Sequence, residues 1–208
     1  MSSIIVKDLK KSLKLGALNS PQWSIHQSRQ QNKTPQKSQI KPAAVLIALV
    51  DLPEGVHILI TQRASHLKHH PGQNCLPGGK WMDQDKSLLE TAKREAFEEI
   101  GLPSEQLEVL GSFEGHETTS GFYITPFVAI SHYQGSWKLN KNEVKTLFHF
   151  PLSWALDAQK WRIESAIWEQ KNRQYRACWW SQHLIWGATA EIFRNLRQHL
   201  KSESKLTP

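Results

Sequence analysis

The segment from Pro77 to Leu102 reads PGGKWMDQDKSLLETAKREAFEEIGL and carries the most informative pattern of the chain. Between positions 88 and 100 its apolar residues recur at three- and four-residue spacing, a periodicity typical of an amphipathic helix. The pattern predicts a helix over residues 87–100, because Gly101 and Pro103 follow and both residue types end helices.

Three carboxylates share one face of this predicted helix. Glu95, Glu98 and Glu99 lie at positions i, i+3 and i+4, where like charges repel by a few tenths of a kcal/mol per pair. A hard divalent cation, Mg²⁺ or Mn²⁺, compensates such crowding because it prefers oxygen ligands. Arg94 lies four residues before Glu98 and can hold that carboxylate in place.

A glycine pair precedes the helix. Gly78 and Gly79 permit a tight turn and a close approach of the backbone to the cation, where a carbonyl can also be a ligand. Taken alone, three glutamates favour a solvated acidic helix face. Their combination with the glycine pair, Arg94 and the Gly-Leu end of the helix favours a metal site.

The combined pattern resembles the Nudix box, which is a glycine, a spacer, then Arg-Glu-x-x-Glu-Glu-x-Gly and an aliphatic residue. Gly79 and Arg94 are fifteen positions apart, whereas the common box has fourteen. The longer spacer is the form that the coenzyme A pyrophosphatase subgroup carries. The acid usually found in the spacer is represented by Asp85 or is absent.

The segment before the box is similar to a second signature of that subgroup. Its parts are LITQRA at 59–64, LKHHPGQ at 67–73 and LPGG at 76–79. Lys68 stands where the subgroup has arginine, which keeps the charge but gives up bidentate phosphate geometry, and Leu76 replaces a phenylalanine. Segments that also look like the subgroup are 120–122, 125–127 and 185–190, so the resemblance covers about residues 42–200.

The resemblance implies the Nudix fold, an α/β/α sandwich with a mixed β-sheet between helices, and a hydrolase that needs Mg²⁺ or Mn²⁺. Glu95 and Glu99 would be the main metal ligands, Glu98 a third ligand or the general base, and Gly79 a carbonyl ligand. Arg94 belongs to the same catalytic group. Glu143 is the candidate from a late segment that completes the metal site or serves as base, with a plain surface glutamate as the alternative.

The implied reaction is hydrolysis of a small nucleotide, coenzyme A or an acyl-CoA, to 3′,5′-ADP and 4′-phosphopantetheine. That substrate carries a diphosphate and a 3′-phosphate, so several cationic donors are expected near the box. The candidate substrate-binding residues are Arg63, Lys68, His69, His70, Gln73 and Gly78. Arg63 alone could be a surface charge at a strand end, and a single histidine is more often structural.

Two other functions remain open. A Nudix hydrolase of ADP-ribose, a dinucleotide or a damaged nucleotide would keep the box without needing the upstream signature. A non-catalytic nucleotide or RNA binder would use the basic N-terminus and could dispense with the crowded carboxylates. The presence of all three carboxylates therefore weighs against this function.

The charge distribution makes nucleic acid an unexpected partner. The chain of 208 residues has a net charge of +7, and residues 1–41 hold eight of its 26 basic and one of its 19 acidic residues. The excess therefore lies in a basic N-terminal arm or linker, which we expect to be a solvated tail. The Nudix domain is predicted over residues 42–208.

The composition indicates a soluble globular protein. Hydrophobic residues at 39% suffice for a core, and no run approaches the ~18 apolar residues of a membrane-spanning helix. Charged residues interrupt the N-terminus, so no secretory signal is expected. Cys75 and Cys178 are expected to be reduced structural thiols of a cytoplasmic protein, and a homodimer is left open.

Elsewhere the hydrophobic patterns predict mainly strands. They are expected at 43–50, 56–61, 107–113, 122–130, 144–150, 163–168 and 175–180. The other predicted features are a short helix at 4–15, a linker at 27–41, a hairpin turn at 171–173 and a final helix at 184–200.

Overall fold

The computed structural model describes residues 2–13, 40–168 and 171–204. The helices are α1 (Ser2–Ser12), α2 (Leu88–Ile100), α3 (Leu152–Leu156) and α4 (Ala188–Ser204), with 3₁₀ turns at Ser104–Gln106 and Ala158–Lys160. The strands are β1 (Lys41–Leu52), β2 (Gly55–Arg63), β3 (Asn74–Cys75), β4 (Gly78–Lys80), β5 (Leu107–Ser112), β6 (His116–Glu117), β7 (Phe122–Ser131), β8 (Val144–Pro151), β9 (Arg162–Trp168), β10 (Lys171–Trp180) and β11 (His183–Trp186). Among these helices, none is both long and apolar enough to cross a membrane.

Most of the strands form one mixed sheet. Its main order is β3-β2-β1-β7-β5, with β4 also paired to β1, β6 to β7 and β8 to β2. Strands β1 and β7 are parallel, and the other pairs are antiparallel. The remaining strands form a second, antiparallel sheet in the order β11-β10-β9.

The central strand β1 is buried on both faces, which explains its nearly unbroken apolar run. Successive side chains of a strand point to opposite faces. Leu46 accordingly packs in a core cluster with Ala92 of α2, whereas Ile47 packs in a cluster on the other face with Leu9 of α1 and Phe193 of α4. Helices cover both faces of the sheet, so the predicted α/β/α sandwich is confirmed.

The last predicted helix is wrong at its start. Residues 184–186 belong to β11, which pairs with β10, and α4 begins only at Ala188. Gly187 separates the two elements with a φ of 65°, a left-handed conformation that glycine adopts freely. A short apolar run is compatible with a strand or a buried helix, so the pattern alone did not distinguish them.

The hairpin turn predicted at 171–173 is also wrong. Those residues belong to β10, where Asn172 pairs with Ile167 of β9. Residues 169 and 170 separate the two strands in the sequence. These lie outside the described residues, as do residues 27–39 of the predicted linker.

The first part of the N-terminal arm packs on the domain, in contrast to the solvated tail that we expected. Leu9 is 0% exposed and belongs to the core cluster that includes α4. The Ser12 carbonyl oxygen lies 3.0 Å from Nε2 of His199, and Nζ of Lys10 lies 2.7 Å from the Glu108 carboxylate. Burial of apolar surface outweighs the positive charge of this segment, so residues 2–13 are part of the fold.

Leu9→Ala is expected to lower the free energy of unfolding by about 2–4 kcal/mol, because it empties a buried leucine site. Urea denaturation followed by circular dichroism measures the change. Lys7→Ala is the matched control, since Lys7 is exposed on the same helix, and it should alter stability by less than ~0.5 kcal/mol. Equal stability of the two variants would show that α1 adds nothing to the core.

Candidate active site

Local interactions define both ends of α2. Ser87 is the N-cap, and its Oγ accepts a hydrogen bond from the Glu90 N–H at 3.2 Å. Gly101 ends the helix with a φ of 70°, and its N–H donates to the Phe97 carbonyl at 2.9 Å. The helix predicted over residues 87–100 is confirmed, with residue 87 as its cap.

The glycine pair brings the backbone of β4 against both β1 and α2. A Cβ atom on Gly78 would lie 2.3 Å from the carbonyl oxygen of Ala44. A Cβ atom on Gly79 would lie 2.5 Å from the carboxylate of Glu95. Neither position has room for a side chain, and at Gly79 the missing side chain lets a carboxylate lie directly against the backbone.

Glu99 is the most deeply buried glutamate of α2. It is 2% exposed, and its Oε2 atom has no hydrogen-bond partner among the described residues. Burial, reinforced by the negative charges of Glu95 and Glu143, raises the pKa of Glu99 to about 8, although Arg63 and the Gly78 N–H oppose this effect. The cluster therefore favours the arrival of positive charge.

Arg94 holds the other two glutamates of the face. Its Nη1 donates to Glu95 at 2.8 Å and to Glu98 at 3.0 Å, so the predicted contact with Glu98 is present. Its Nε and Nη2 donate to the two carboxylate oxygens of Asp85 at 2.8 and 3.0 Å, and these bonds hold the pKa of Asp85 below its usual value. Asp85, which lies in the spacer, thus anchors the arginine, and its equivalence to the acid of the box stays a prediction. The Glu98 side chain is 50% exposed, and its role as ligand or base stays a prediction.

The loop before β8 brings Glu143 to the glutamates of α2. The Asn140 N–H donates to the Glu99 carbonyl at 3.0 Å, and Nδ2 of Asn140 donates to the Glu143 carboxylate at 3.4 Å. The Glu143 carbonyl accepts the N–H of Ala64 at 2.8 Å. Burial is the largest cause that raises the pKa values of Glu95 and Glu99, and the negative charge of Glu143 adds to it, so Glu143 lies near both carboxylates.

Arg63 lies at the end of β2 beside Glu99. Its N–H donates to the Gln73 carbonyl at 2.9 Å, and its Nε is buried without a hydrogen-bond partner in the described structure. Its charge opposes the upward shift of the Glu99 pKa. Cys75 is a neighbour of this pair, and burial followed by the charge of Glu99 raises the pKa of its thiol to about 11. Cys75 therefore carries a neutral thiol at physiological pH.

The donor set fits a hard divalent cation. Glu95, Glu99 and Glu143 interact electrostatically, and Glu99 has a buried oxygen with no partner in the described chain. Over residues 2–13, 40–168 and 171–204, no three His, Cys, Asp or Glu side chains form a ready-made metal cluster. Mg²⁺ and Mn²⁺ suit this arrangement, because Mg²⁺ usually keeps several waters and takes only one or two protein carboxylates.

Apart from Gly78 in β4, the other candidate substrate-binding residues lie in the loop between β2 and β3. Lys68 and His69 are exposed and Gln73 is partly buried. They line an open cleft of about 490 Å³, to which β11 contributes Trp186. Arg63, by contrast, faces the carboxylates. The candidate substrate-binding residues therefore form two groups, one beside the carboxylates and one in the cleft.

Two neighbours of the site, Cys75 and Trp186, are not predicted by the sequence pattern. Cys75 lies in a two-residue strand, where no spacing marks a function. Trp186 lies in segment 185–190, and the similarity of this segment to the coenzyme A pyrophosphatase subgroup is the signal that could have indicated it. That segment was assigned to a helix, so its pairing with β10 and its approach to the loop were not foreseen.

Known proteins are similar to this chain over most of its length. Residues 40–171 match the family model described as the NUDIX domain. A relative from Yersinia enterocolitica, named Uncharacterized Nudix hydrolase NudL, is 39% identical over 158 residues, which are 76% of this chain and 80% of the relative.

Solved structures also share the fold. RenU, a Nudix hydrolase from M. smegmatis, aligns with a TM-score of 0.52 and 19% identity, over 85% of this chain and 93% of that one. A MutT/nudix family protein from Enterococcus faecalis aligns with a TM-score of 0.53 and 15% identity, over 97% of this chain and 75% of that one. At such identities the likeness concerns the fold alone.

Proposed function

Because the chain belongs to the Nudix hydrolase family, we propose that it hydrolyses the diphosphate linkage of coenzyme A to 3′,5′-ADP and 4′-phosphopantetheine, or that of an acyl-CoA to 3′,5′-ADP and the acylated 4′-phosphopantetheine. The observation that carries this proposal is the position of a cation-lined cleft next to a cluster of crowded carboxylates. A cytoplasmic location and a homodimer stay predictions.

Coenzyme A is favoured because it presents phosphate at two separate places. Arg63 beside Glu99 suits the diphosphate, since charge-assisted hydrogen bonds to phosphate are the strong ones. Lys68 and His69 in the cleft suit a further phosphate. ADP-ribose has a diphosphate and no third phosphate, so it would leave those groups without a partner.

The carboxylates account for the need for a cation. When bound, Mg²⁺ or Mn²⁺ supplies positive charge against the diphosphate and makes water more acidic. Glu95 and Glu99 would hold the ion, with the Gly79 backbone beside them. Arg94 keeps Glu95 and Glu98 in place through its own contact with the spacer acid, and so acts as a positioning residue.

Hydrolysis also requires a proton acceptor. Water adds to one phosphorus, the bond from that phosphorus to the bridging oxygen breaks, and the proton of the water passes to a carboxylate. Glu98 is bound by the Arg94 guanidinium at 3.0 Å, whereas Glu143 accepts a 3.4 Å hydrogen bond from the neutral amide of Asn140. We therefore favour Glu143 as the acceptor, with Glu98 as the alternative.

Lys68→Ala is expected to raise KM for coenzyme A by about 10–100-fold, because a charged contact to phosphate is lost. Dephospho-coenzyme A and ADP-ribose lack the 3′-phosphate and should be affected much less. Product analysis by mass spectrometry over these three substrates and a dinucleotide provides the measurement. Lys145→Ala removes an exposed lysine outside the cleft and serves as the control.

The wild-type preference decides the proposal. A kcat/KM that is higher for coenzyme A than for ADP-ribose supports it. A higher value for ADP-ribose or for the dinucleotide would refute coenzyme A as the substrate and leave only the Nudix chemistry.

A further inference from the structure

The cleft combines a lysine and two histidines with an aromatic ring. Lys68, His69 and His70 are exposed on the loop between β2 and β3. The indole of Trp186, which is partly buried, lines the same cleft from β11. Cationic donors beside an aromatic ring are the groups that bind a phosphate and stack on a nucleobase.

The loop and the tryptophan are held together by contacts that fix the shape of the cleft. Nδ2 of Asn74 donates to the Leu184 carbonyl at 3.0 Å and so ties β3 to β11. Nε2 of Gln73 lies 3.1 Å from the position that a Cβ of Gly187 would occupy, so the glycine makes room for the glutamine. These contacts hold the loop between β2 and β3 against the end of β11.

A neighbouring ring holds the indole. Tyr175 of β10 meets Trp186 edge to face, with ring centroids 5.5 Å apart and an interplanar angle of 62°. Such pairs are stabilising beyond the area that they bury. The indole is thereby supported by Tyr175 on one side while the ring still lines the cleft.

The cleft is connected to the carboxylate cluster through β3. The Gln73 carbonyl accepts the N–H of Arg63 at 2.9 Å, and Arg63 interacts with Glu99. Cys75, two residues after Gln73, also interacts with Glu99. Two residues of chain span at most about 7 Å, so a single nucleotide whose diphosphate lies at Glu99 can extend into the cleft.

We propose that this cleft binds the adenosine 3′-phosphate end of the substrate, with Trp186 stacked on the adenine and Lys68, assisted by His69 or His70, bound to the 3′-phosphate. The inference rests on the proposed function and adds which half of coenzyme A the cleft recognises. The 4′-phosphopantetheine half has no ring to stack on an indole, so it lies on the other side of the diphosphate.

The test measures binding of 3′,5′-ADP to the full chain in EDTA by calorimetry, so that no turnover is needed. Trp186→Leu should weaken binding by about 5–100-fold, the loss expected for one base–aromatic stack. Trp186→Phe keeps a ring and should recover most of the affinity. Trp179→Leu is the matched control, because Trp179 is 60% exposed on the same small sheet and does not line the cleft.

The phosphate contact has its own comparison. Lys68→Ala should weaken 3′,5′-ADP by about 10-fold or more and leave 5′-AMP nearly unchanged, because only the first ligand has a 3′-phosphate. This arm also carries the test if Trp186→Leu does not fold.

Several results would overturn the inference. The inference fails if the wild type does not bind 3′,5′-ADP, or if folded Trp186→Leu binds 3′,5′-ADP as tightly as the wild type does. It also fails if Trp186→Leu loses affinity for 4′-phosphopantetheine instead of for 3′,5′-ADP. If the wild type hydrolyses coenzyme A and both cleft variants bind 3′,5′-ADP normally, the cleft assignment fails and the proposed function stands. If the cleft variants behave as expected and coenzyme A is not hydrolysed, the proposed function fails by itself.

Discussion

Glu99→Gln is expected to lower kcat by about 10²-fold or more, because it removes the buried charge that would hold the metal ion while keeping the size of the side chain. The fold should persist, since the substitution relieves repulsion from Glu95 and Glu143. Steady-state hydrolysis of coenzyme A in Mg²⁺ or Mn²⁺ measures kcat, and circular dichroism reports the fold.

Glu90→Gln is the matched control for that variant. Glu90 lies on the same helix, is exposed and pairs with Lys93 at 3.0 Å, away from the carboxylate cluster. Its substitution should leave kcat unchanged. Full activity of Glu99→Gln, or of the wild type in excess EDTA, would contradict the metal site.

The same series identifies the proton acceptor. Glu143→Gln should lower kcat and remove the acidic limb of the pH–rate profile, if Glu143 takes the proton. Glu98→Gln should then keep that limb, because Glu98 is bound by Arg94. The opposite pair of profiles would assign the base to Glu98.

The metal-free protein is expected to lose stability as the pH rises from about 5 to 8. The folded-state pKa of Glu99 is raised from 4.5 to about 8, so the folded protein retains a proton that the unfolded chain has released. The folded state is therefore disfavoured progressively between pH 4.5 and about 8, by a total on the order of 3–5 kcal/mol. Urea denaturation in EDTA across this range measures the free energy of unfolding.

Comparison with Glu99→Gln isolates this effect from other titrations. Burial lowers the pKa values of three histidines, which are His116, His149 and His183. Their titration acts in the opposite direction, because it makes the folded protein more stable as the pH rises. They are common to both proteins, so the difference between wild type and variant should grow from pH 5 to pH 8 in EDTA. Adding Mg²⁺ should stabilise the wild type and reduce that difference. Parallel pH profiles in EDTA would rule out a proton on Glu99.

Helix α2 and its charged face could be predicted because the interactions that define them are local. The Ser87 cap and the Gly101 terminator each act within four residues of their partners. The spacing of the glutamates places them on one face of any helix, whatever packs around it. The long strands were predictable for a similar reason, since β1 and β7 carry continuous apolar runs.

Short elements and element types were harder to predict. Strands β3, β4 and β6 contain only two or three residues, too few to show a periodicity. Segment 184–186 is apolar in either secondary structure, and its pairing with β10 made it a strand. The burial of Leu9 depends on α4, which comes almost at the other end of the chain.

Helix α2 and its crowded carboxylates follow from the sequence alone, and the resemblance to the Nudix family implies the sandwich and a compensating cation. The residues that join this helix from distant parts of the chain depend on tertiary contacts, which bring Arg63 and Glu143 towards Glu99, and Trp186 towards the loop that contains Lys68. The physical reason is the range of the interactions. Caps and helix faces depend on residues a turn apart, whereas these neighbours meet through strand pairing and loop contacts whose register is set by the packing of the whole sheet.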